Sequence, residues 1–424
     1  MKLSNLFTKT RKTSPEDATA VSHDLLVRAG FINQEMAGVY SLLPMGFKVL
    51  KRIEGIIREE MDTICGQEVV MPSLQPKSSW IKTGRWATLD VLYKVKSRWS
   101  DSEYALGPTH EEIVFPLVGK FLSSYKDLPI SVYQIQTKFR DEKRAKSGII
   151  RGREFGMKDM YSFHATQEDL TSHYNKVKEA YLKIFKRCGI DAKVTKASGG
   201  AFTDKYSHEF MAISEAGEDT IIACSSCHYA ENIEVSELKA GDSCPQCGLP
   251  TDSHKSIEIG NIFDLAQKFG RDFDLQYTDE NGERKYPFSG CYGIGTTRLI
   301  GSIVESNHDE KGIVWPEEIS PFDVHLIGLN LNDDETVKVA EKIYERLMRS
   351  GMTVLYDNRE DMSAGIKFND ADLIGIPRQV IISKRLVVED KVEVRSRRDG
   401  TSETVDSSTL KIAKGESSVE KGVV

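Results

Sequence analysis

Four of the chain's seven cysteines stand in two tight pairs, Cys224-Ser-Ser-Cys227 and Cys244-Pro-Gln-Cys247, with sixteen residues between them. Each pair sets two thiolates on one turn, and two such knuckles close a tetrahedron around zinc. Four thiolates leave no open coordination position, so the expected zinc at Cys224, Cys227, Cys244 and Cys247 is structural. A redox pair, or a ribbon that has lost its metal, is the alternative reading, and His228 reads as a bystander. Zinc alone names no function, because such ribbons bind nucleic acid in some proteins and only staple a loop in others.

A second group is basic. Between Lys138 and Lys158 eight basic residues stand against three acidic ones. On charge alone this is a solvated hairpin, but Phe139 and Phe155 flank it, as in two strands joined by a basic loop. Arginines fixed on strands suit phosphate, because the guanidinium fork is planar and always charged. Nearby aromatic rings suit a nucleobase. A third group, Gly290-Cys-Tyr-Gly-Ile-Gly-Thr-Thr-Arg298, leads into a segment that reads as helix. Its spacing is neither the dinucleotide fingerprint nor a P-loop. With an arginine at a helix start, it suggests a site for a terminal phosphate.

The elements that position these groups are legible in outline. Leu50, Ile53, Ile57 and Ile64 share one face of a helix over residues 47–64, stopped by Gly66 and followed by a short strand at Glu68–Met71 that Pro72 ends. A strand is expected near Tyr133–Thr137. A helix over Gln167–Cys188 presents Leu170, Tyr174, Val177, Tyr181, Ile184 and Phe185, with Gly189 as its terminator. Beyond Ser320-Pro321 strands and helices alternate: Val324–Leu329, Asp334–Arg349, Thr353–Tyr356, Gly365–Leu373 and Gln379–Ser383, then a hairpin around Glu389-Asp390. That alternation predicts a compact α/β domain with a mostly parallel sheet. Residues 413–424 lack periodicity and are expected to fray.

Composition bounds these readings. With 424 residues, 39% hydrophobic and 29% charged, the chain reads as a soluble globular protein of about three domains. No apolar run reaches the ~18 residues of a membrane span. Residues 1–14 are basic without an apolar core, so no secretory signal is expected. The net charge of −7 argues mildly against a nucleic-acid-coated surface but hides local patches.

Taken in order, the helix–strand–Pro unit ending at Pro72, the Phe139-Arg-Asp-Glu142 loop closing at Arg153-Glu-Phe155, and the glycine run ending at Arg298 resemble motifs 1, 2 and 3 of class II aminoacyl-tRNA synthetases. The details resemble the bacterial-type prolyl-tRNA synthetases, here in a short form. The matching stretches include Ala37–Gly46, Leu106-Gly-Pro-Thr-His-Glu-Glu112, Tyr133–Glu142, Arg153–His164, Gly290-Cys-Tyr-Gly-Ile-Gly295 and Asn307–Pro316. Asp357-Asn-Arg359 and Leu373-Ile-Gly-Ile-Pro377 resemble the family's anticodon-binding module. The resemblance covers nearly the whole chain and implies an α+β catalytic domain over 1–319, an antiparallel sheet with flanking helices. Within it, 217–255 would be a zinc-ribbon-like insert, and 320–424 an anticodon-binding α/β domain.

The resemblance also implies roles. Arg140 would grip the ATP α-phosphate and the amino-acid carboxylate, and Arg298 the γ-phosphate; these two are the catalytic expectation. Glu142 and Arg151 would join the ATP site, Phe155 would stack on adenine, and Glu258 would help hold Mg2+. Thr109 and Glu111 would read the imino group of proline, in a small pocket lined by Met157, Asp159, Tyr161, Phe263 and Cys291. Arg144 would reach the tRNA(Pro) acceptor end, with Arg359 and Lys367 at the anticodon. A homodimer in the cytoplasm is implied with them. Cys291 and Met157 also read as packing, and His164, His208 and His308 as structural, since adenylation needs no imidazole base. The sequence departs from the family's pattern at Asn261, where His is usual, at Ala266, where Gly is usual, and before Ser207-His-Glu-Phe210. The interval between the second and third motifs is too short for the large editing insertion, and the cysteine cluster stands in its place. A catalytically inactive regulatory paralogue, a zinc-ribbon RNA-binding protein, and a threonine or serine enzyme are the rival readings.

Overall fold

The computed structural model describes all residues except 17, 201, 204, 411 and 413–424, so the expected fraying of 413–424 lies outside the described residues. The chain divides into two compact units. One gathers Gln34–Tyr40 and Ile53–Ser306; the other gathers Met1–Asn33, Ser41–Arg52 and Asn307–Val424. The chain's first 33 residues therefore group with its C-terminal part rather than with its middle.

The larger unit is built on a nine-stranded sheet. In chain order its strands are β1 (Gln67–Glu68), β2 (Ile130–Phe139), β3 (Glu154–His164), β4 (Lys193–Ser198), β5 (Tyr206–Ile213), β6 (Asp219–Cys224), β7 (Ala230–Asn232), β8 (Thr251–Ala266) and β9 (Phe288–Gly295). Across the sheet they run β5-β4-β7-β6-β8-β9-β3-β2-β1, with β5 also pairing β8. Every pairing is antiparallel except β1–β2 and β4–β7. β2 and β3 flank the basic loop in register from Ile130↔Phe163 to Phe139↔Glu154, as the flanking aromatics predict. β9 runs straight into a helix at Thr296–Ser306.

Helix Gln167–Arg187 covers one face of this sheet. Thr166 caps it by accepting from the Asp169 amide, with Glu168 and Asp169 in the first turn and Lys186 and Arg187 in the last, each matched to the helix dipole. Gly189 ends it at φ +77°. Leu170, Val177, Tyr181, Ile184 and Phe185 are buried, as the periodicity predicts. Half-buried Tyr174 has its hydroxyl at 2.8 Å from His208 Nδ1. At the end of β8, where the register with β9 shifts, Ala266 sits at φ +48°. Glycine takes that conformation without strain, which accounts physically for the residue usual at this position in the resembled family.

The smaller unit holds a five-stranded sheet: β10 (Val324–Gly328), β11 (Val354–Asp357), β12 (Arg378–Ile382), β13 (Lys391–Ser396) and β14 (Ser402–Asp406), ordered β11-β10-β12-β13-β14. The first three are parallel and the last two antiparallel. The alternating strands and helices fall as expected, with helices at Asp334–Arg349 and Ala364–Ile374. The hairpin does not. Glu389-Asp390 ends a short helix, Lys384–Val388, and the true hairpin joins β13 to β14. Turn-forming residues mark a reversal there, with Asp390 at φ +56°, without saying which elements it joins.

Gly375 closes helix Ala364–Ile374 in the left-handed region at φ +80°. A Cβ there would lie 2.1 Å from the Ile313 carbonyl oxygen. Gly375→Ala is expected to cost at least about 3 kcal/mol, combining left-handed strain with a backbone collision. Gly365→Ala, in the same helix with open space around it, should be neutral or stabilise by up to about 1 kcal/mol. Urea denaturation of the two variants checks the contrast.

Candidate active site

The middle of β8 and the C-terminal half of β9, with β2 and β3 beside them, line a cavity of about 290 Å³. Thr109, Met157, Asp159, Phe263 and Cys291 lie at one end, and Arg140, Phe155, Glu258 and Arg298 at the other. Gly293 forms part of the floor. A Cβ there would meet nothing closer than 4.0 Å, so the space above it is open to a ligand. A second cavity shares Arg140, Glu258 and Arg298 with the first and continues past Glu142 and Arg151. The second and third sequence motifs thus meet around one cleft, while the unit ending at Pro72 lines neither cavity.

Its two arginines differ in how they are held. Arg298 donates to the Ile150 carbonyl at 2.9 Å and to the Glu258 carbonyl at 2.7 Å, with the Glu258 carboxylate at 3.3 Å. Arg140 has no ion pair among the described residues; its guanidinium lies 5.2 Å over the Phe155 ring. Burial, and then Arg298, disfavour its charge and pull its pKa below the usual arginine range. Two cations facing one cleft with one carboxylate between them make a site for an anion. Arg151 is instead engaged, donating to Glu142 at 2.7 Å and 3.1 Å and to Glu218.

Carboxylates gather on the strands beside Glu258. Asn261 donates to Glu258 at 3.0 Å and to Glu209 at 3.4 Å, and Asn232 donates to Glu209 at 3.3 Å. Burial, and then Glu258, push the Glu209 carboxyl up to about 8. Burial and Glu258 likewise raise Asp219 to about 6. Glu209 and Asp219 thus lie close enough to Glu258 for its charge to raise them, and a cation placed beside them would relieve that repulsion.

The other end of the cleft rests on a buried polar network. Lys138, fully buried, pairs with Asp159 at 2.8 Å and donates to His110 Nδ1 at 2.7 Å. That fixes the His110 tautomer, whose Nε2–H then donates to the Pro72 carbonyl at 3.2 Å. Burial alone would raise the Asp159 carboxyl, but Lys138 and His110 outweigh it and hold it below its ordinary value. Tyr161 donates to Asp159 at 2.9 Å. Glu111 accepts from the Thr109 hydroxyl at 2.6 Å, from the Cys291 thiol at 3.1 Å and from Arg85 at 3.2 Å. Tyr161 and Glu111 are fully buried beneath the pocket rather than on its wall.

Away from the cleft, Arg144 is exposed on the basic loop. In the smaller unit Arg359 pairs with Asp357 at 2.6 Å and Asp370 at 2.9 Å. Lys367 is not at the surface: it is 2% exposed and donates to the Gly328 carbonyl at 2.6 Å. The four cysteines form one cluster with all sulfurs within 4.8 Å. Cys224–Cys247 and Cys227–Cys244 are each 3.5 Å apart. Thiolates ~2.3 Å from a tetrahedral ion lie about 3.8 Å from one another, so the cluster can hold a metal.

Two family models match the chain: the tRNA synthetase class II core domain (G, H, P, S and T) over residues 93–307, and an anticodon binding domain over 323–412. A proline–tRNA ligase of Sulfurihydrogenibium is 35% identical, with 96% of this chain and 98% of the relative covered. The chain belongs to the proline–tRNA ligases. One from Syntrophus aciditrophicus is 33% identical with 99% of each chain covered. These alignments span 553 and 574 positions against the 424 residues here, so the relatives hold residues without a counterpart in this chain. In fold, the prolyl-tRNA synthetase of Giardia lamblia, solved with prolyl-adenylate, superposes with a TM-score of 0.75 at 21% identity, covering 91% of this chain and 74% of that one. The enzyme of Cryptosporidium parvum, solved with halofuginone and AMPPNP, also gives 0.75, at 19% identity and the same coverage. The class II core with its antiparallel sheet and the C-terminal anticodon-binding domain are thus the fold of this chain, and membership makes it an ATP-dependent aminoacyl-tRNA ligase.

Sequence reading did not single out Arg85, Lys138, Glu209 or Asp219. Glu209 and Lys138 lay inside quoted stretches, and their types were the available signal. Arg85 carried no signal beyond Gly84-Arg-Trp86, and its partner Glu111 is 26 residues away.

Proposed function

We propose that this chain charges tRNA(Pro) by the residues gathered in the cleft. The observation that supports this best is the convergence of Arg140, Arg298 and Glu258 at one end of a pocket whose other end rests on Glu111. Arg140 receives the α-phosphate and the proline carboxylate, Phe155 stacks on adenine near Glu142 and Arg151, and Arg298 receives the γ-phosphate. The proline carboxylate oxygen attacks the α-phosphorus in line. The bond to the bridging oxygen breaks, and pyrophosphate leaves. The terminal ribose hydroxyl of the tRNA then takes the prolyl group and AMP departs. Charge grows on phosphoryl oxygens, so fixed cations supply the stabilisation and no protein nucleophile is required. Glu258, with Glu209 and Asp219 beside it, would hold Mg2+ on the triphosphate, which would supply further positive charge.

Both carboxylates at the amino-acid end have a cationic partner, Asp159 in Lys138 and Glu111 in Arg85. On the family resemblance Glu111 is the one that reads the two N–H bonds of a prolinium, with Thr109 beside it, while Met157, Phe263 and Cys291 bound the ring. Arg144 reaches the acceptor end and Arg359 the anticodon; Lys367, buried, supports that surface from within. Zinc at the four cysteines is structural. A homodimer working in the cytoplasm completes the reading, the dimer being testable by mass measurement in solution.

Proline-dependent ATP–pyrophosphate exchange, run against all twenty amino acids, tests the function. Proline is expected to exceed every other amino acid by at least about 100-fold, except alanine, which the pocket excludes only weakly. Exchange driven by threonine instead would overturn the reading. The short interval between motifs carries a second expectation: the protein leaves alanyl-tRNA(Pro) intact in cis. Hydrolysis of that ester by the purified protein would refute it.

A further inference from the structure

Behind the pocket, three charged groups are closed off from water. Arg85 is 6% exposed, and Glu111 and Glu112 are 0%. The same Nη1 of Arg85 donates to Glu111 Oε2 at 3.2 Å and to Glu112 Oε1 and Oε2 at 3.2 and 3.3 Å. Its guanidinium is ringed by Trp80, Phe202 and Phe269, with centroids at 5.3, 4.9 and 5.7 Å. Aromatic faces accept a cation while excluding water, which strengthens its hold on the carboxylates. Phe202 in turn packs on Phe263 of the pocket wall, at 4.7 Å between centroids. One guanidinium serves two consecutive carboxylates, and Lys138, the nearby cation, is paired with Asp159.

We propose that Arg85, braced by Glu112, is a positioning residue for amino-acid selection: it fixes the Glu111 carboxylate under the pocket and leaves the cluster one negative charge in excess, which the prolinium neutralises. This rests on the reading that Glu111 receives the imino group. Arg85 touches no substrate. It acts by denying Glu111 other orientations, so that one carboxylate edge faces the ring nitrogen. A ligand without a cationic nitrogen in the pocket would leave the buried charge unmatched, which is costly in a dry site. The electrostatics agree. Burial, opposed by Arg85 and reinforced by Glu111, pushes Glu112 up to about 7, with the Thr83 hydroxyl its remaining contact at 2.8 Å. Near neutrality the empty cluster holds a proton where the substrate cation is missing. Prolinium binding releases that proton, so KM for proline should fall as pH rises through about 7.

Steady-state exchange with Glu112→Gln, Arg85→Lys, Glu111→Gln and the double variant of Arg85 and Glu111 tests this. Glu112→Gln should raise KM for proline by about tenfold, consistent with losing one charged hydrogen bond. It should leave KM for ATP within about twofold and flatten the pH dependence of proline KM. Arg85→Lys should raise proline KM by about 30-fold or more, because a compact ammonium gives up the planar packing against Trp80, Phe202 and Phe269 that holds the cation in place. In the Glu111→Gln background it should add little, since a residue acting through another is non-additive with it. Additive effects, or ATP and proline KM rising together with a lowered melting point, would show a merely structural role and overturn the proposal. If Arg85→Lys does not fold, Glu112→Gln decides alone. An unchanged proline KM in Glu111→Gln would instead defeat the reading of Glu111. A raised KM in Glu111→Gln with none in Glu112→Gln or Arg85→Lys would defeat only the positioning role.

Discussion

Arg140→Ala is expected to abolish proline-dependent ATP–pyrophosphate exchange to about one part in a thousand, while the protein melts no lower than before. The two halves of that expectation have one cause. Among the described residues Arg140 has no ion pair, and burial together with Arg298 disfavours its charge. Removing it relieves the empty protein of a repulsion and breaks no hydrogen-bonded pair. The phosphoryl oxygens of the transition state, however, lose a donor poised where negative charge accumulates, a loss of about 4 kcal/mol. Arg140→Lys keeps the charge but loses the planar fork and should recover only about tenfold. Calorimetry beside the exchange assay checks both. A variant that lost activity by unfolding would show the opposite pairing.

Cys244→Ser is expected to remove the metal and unfold one segment. The purified protein should carry one zinc per chain, and the variant less than about a tenth of that. Between residues 233 and 250 Cys244 is the single buried residue, so this stretch has almost no apolar core of its own. The four thiols also do not ionise comfortably alone. Cys224 is drawn down to about 7 by the Ser226 amide, whereas against the Tyr229 amide burial, and then hydrogen bonds to the other thiols, raise Cys227 to about 12. A dication among them would remove that conflict, and structural zinc contributes about 10–16 kcal/mol in small peptides. Amide exchange over 225–250 should accelerate by at least about 100-fold on metal loss, while β8 beyond Ser256, hydrogen-bonded on both sides by β5 and β9, stays protected. Hydrogen-exchange mass spectrometry on chelator-treated protein and on the variant reads this directly. Undiminished protection across the loop would remove zinc from the account.

What could be read beforehand follows from the range of the interactions. The long helix at Gln167–Arg187 and the β2–β3 pair were legible because local periodicity and caps specify them. The cysteine cluster was legible because spacing alone brings two thiols onto each knuckle. The arginine end of the cleft was legible because a basic loop flanked by Phe139 and Phe155 reads as two strands that fix Arg140 beside an aromatic ring. Lys367 misled, since lysine is normally solvated and nothing nearby announced the Gly328 carbonyl that receives it. Arg85 and Lys138 were silent for a related reason. Their chemistry is set by partners 26 and 21 residues away, brought close only by the tertiary fold. The Glu389-Asp390 reversal shows the milder failure, in which a turn is signalled but not the elements it joins.

The stems of the cysteine loop carry a consequence for how such chains diversify. Cys224 and Thr251 lie opposite one another at the ends of β6 and β8. Anything joining them must begin and end at neighbouring points, and the number of residues between is otherwise unconstrained. That corner of the sheet is a splice point: a short cysteine-bearing loop here, and in a longer relative any folded module whose own ends are adjacent, could occupy it without shifting the strand that carries Glu258. Grafting and loss of whole modules at this corner are then cheap steps in sequence space, because the ladder on either side of β8 holds its register regardless of what hangs beyond it.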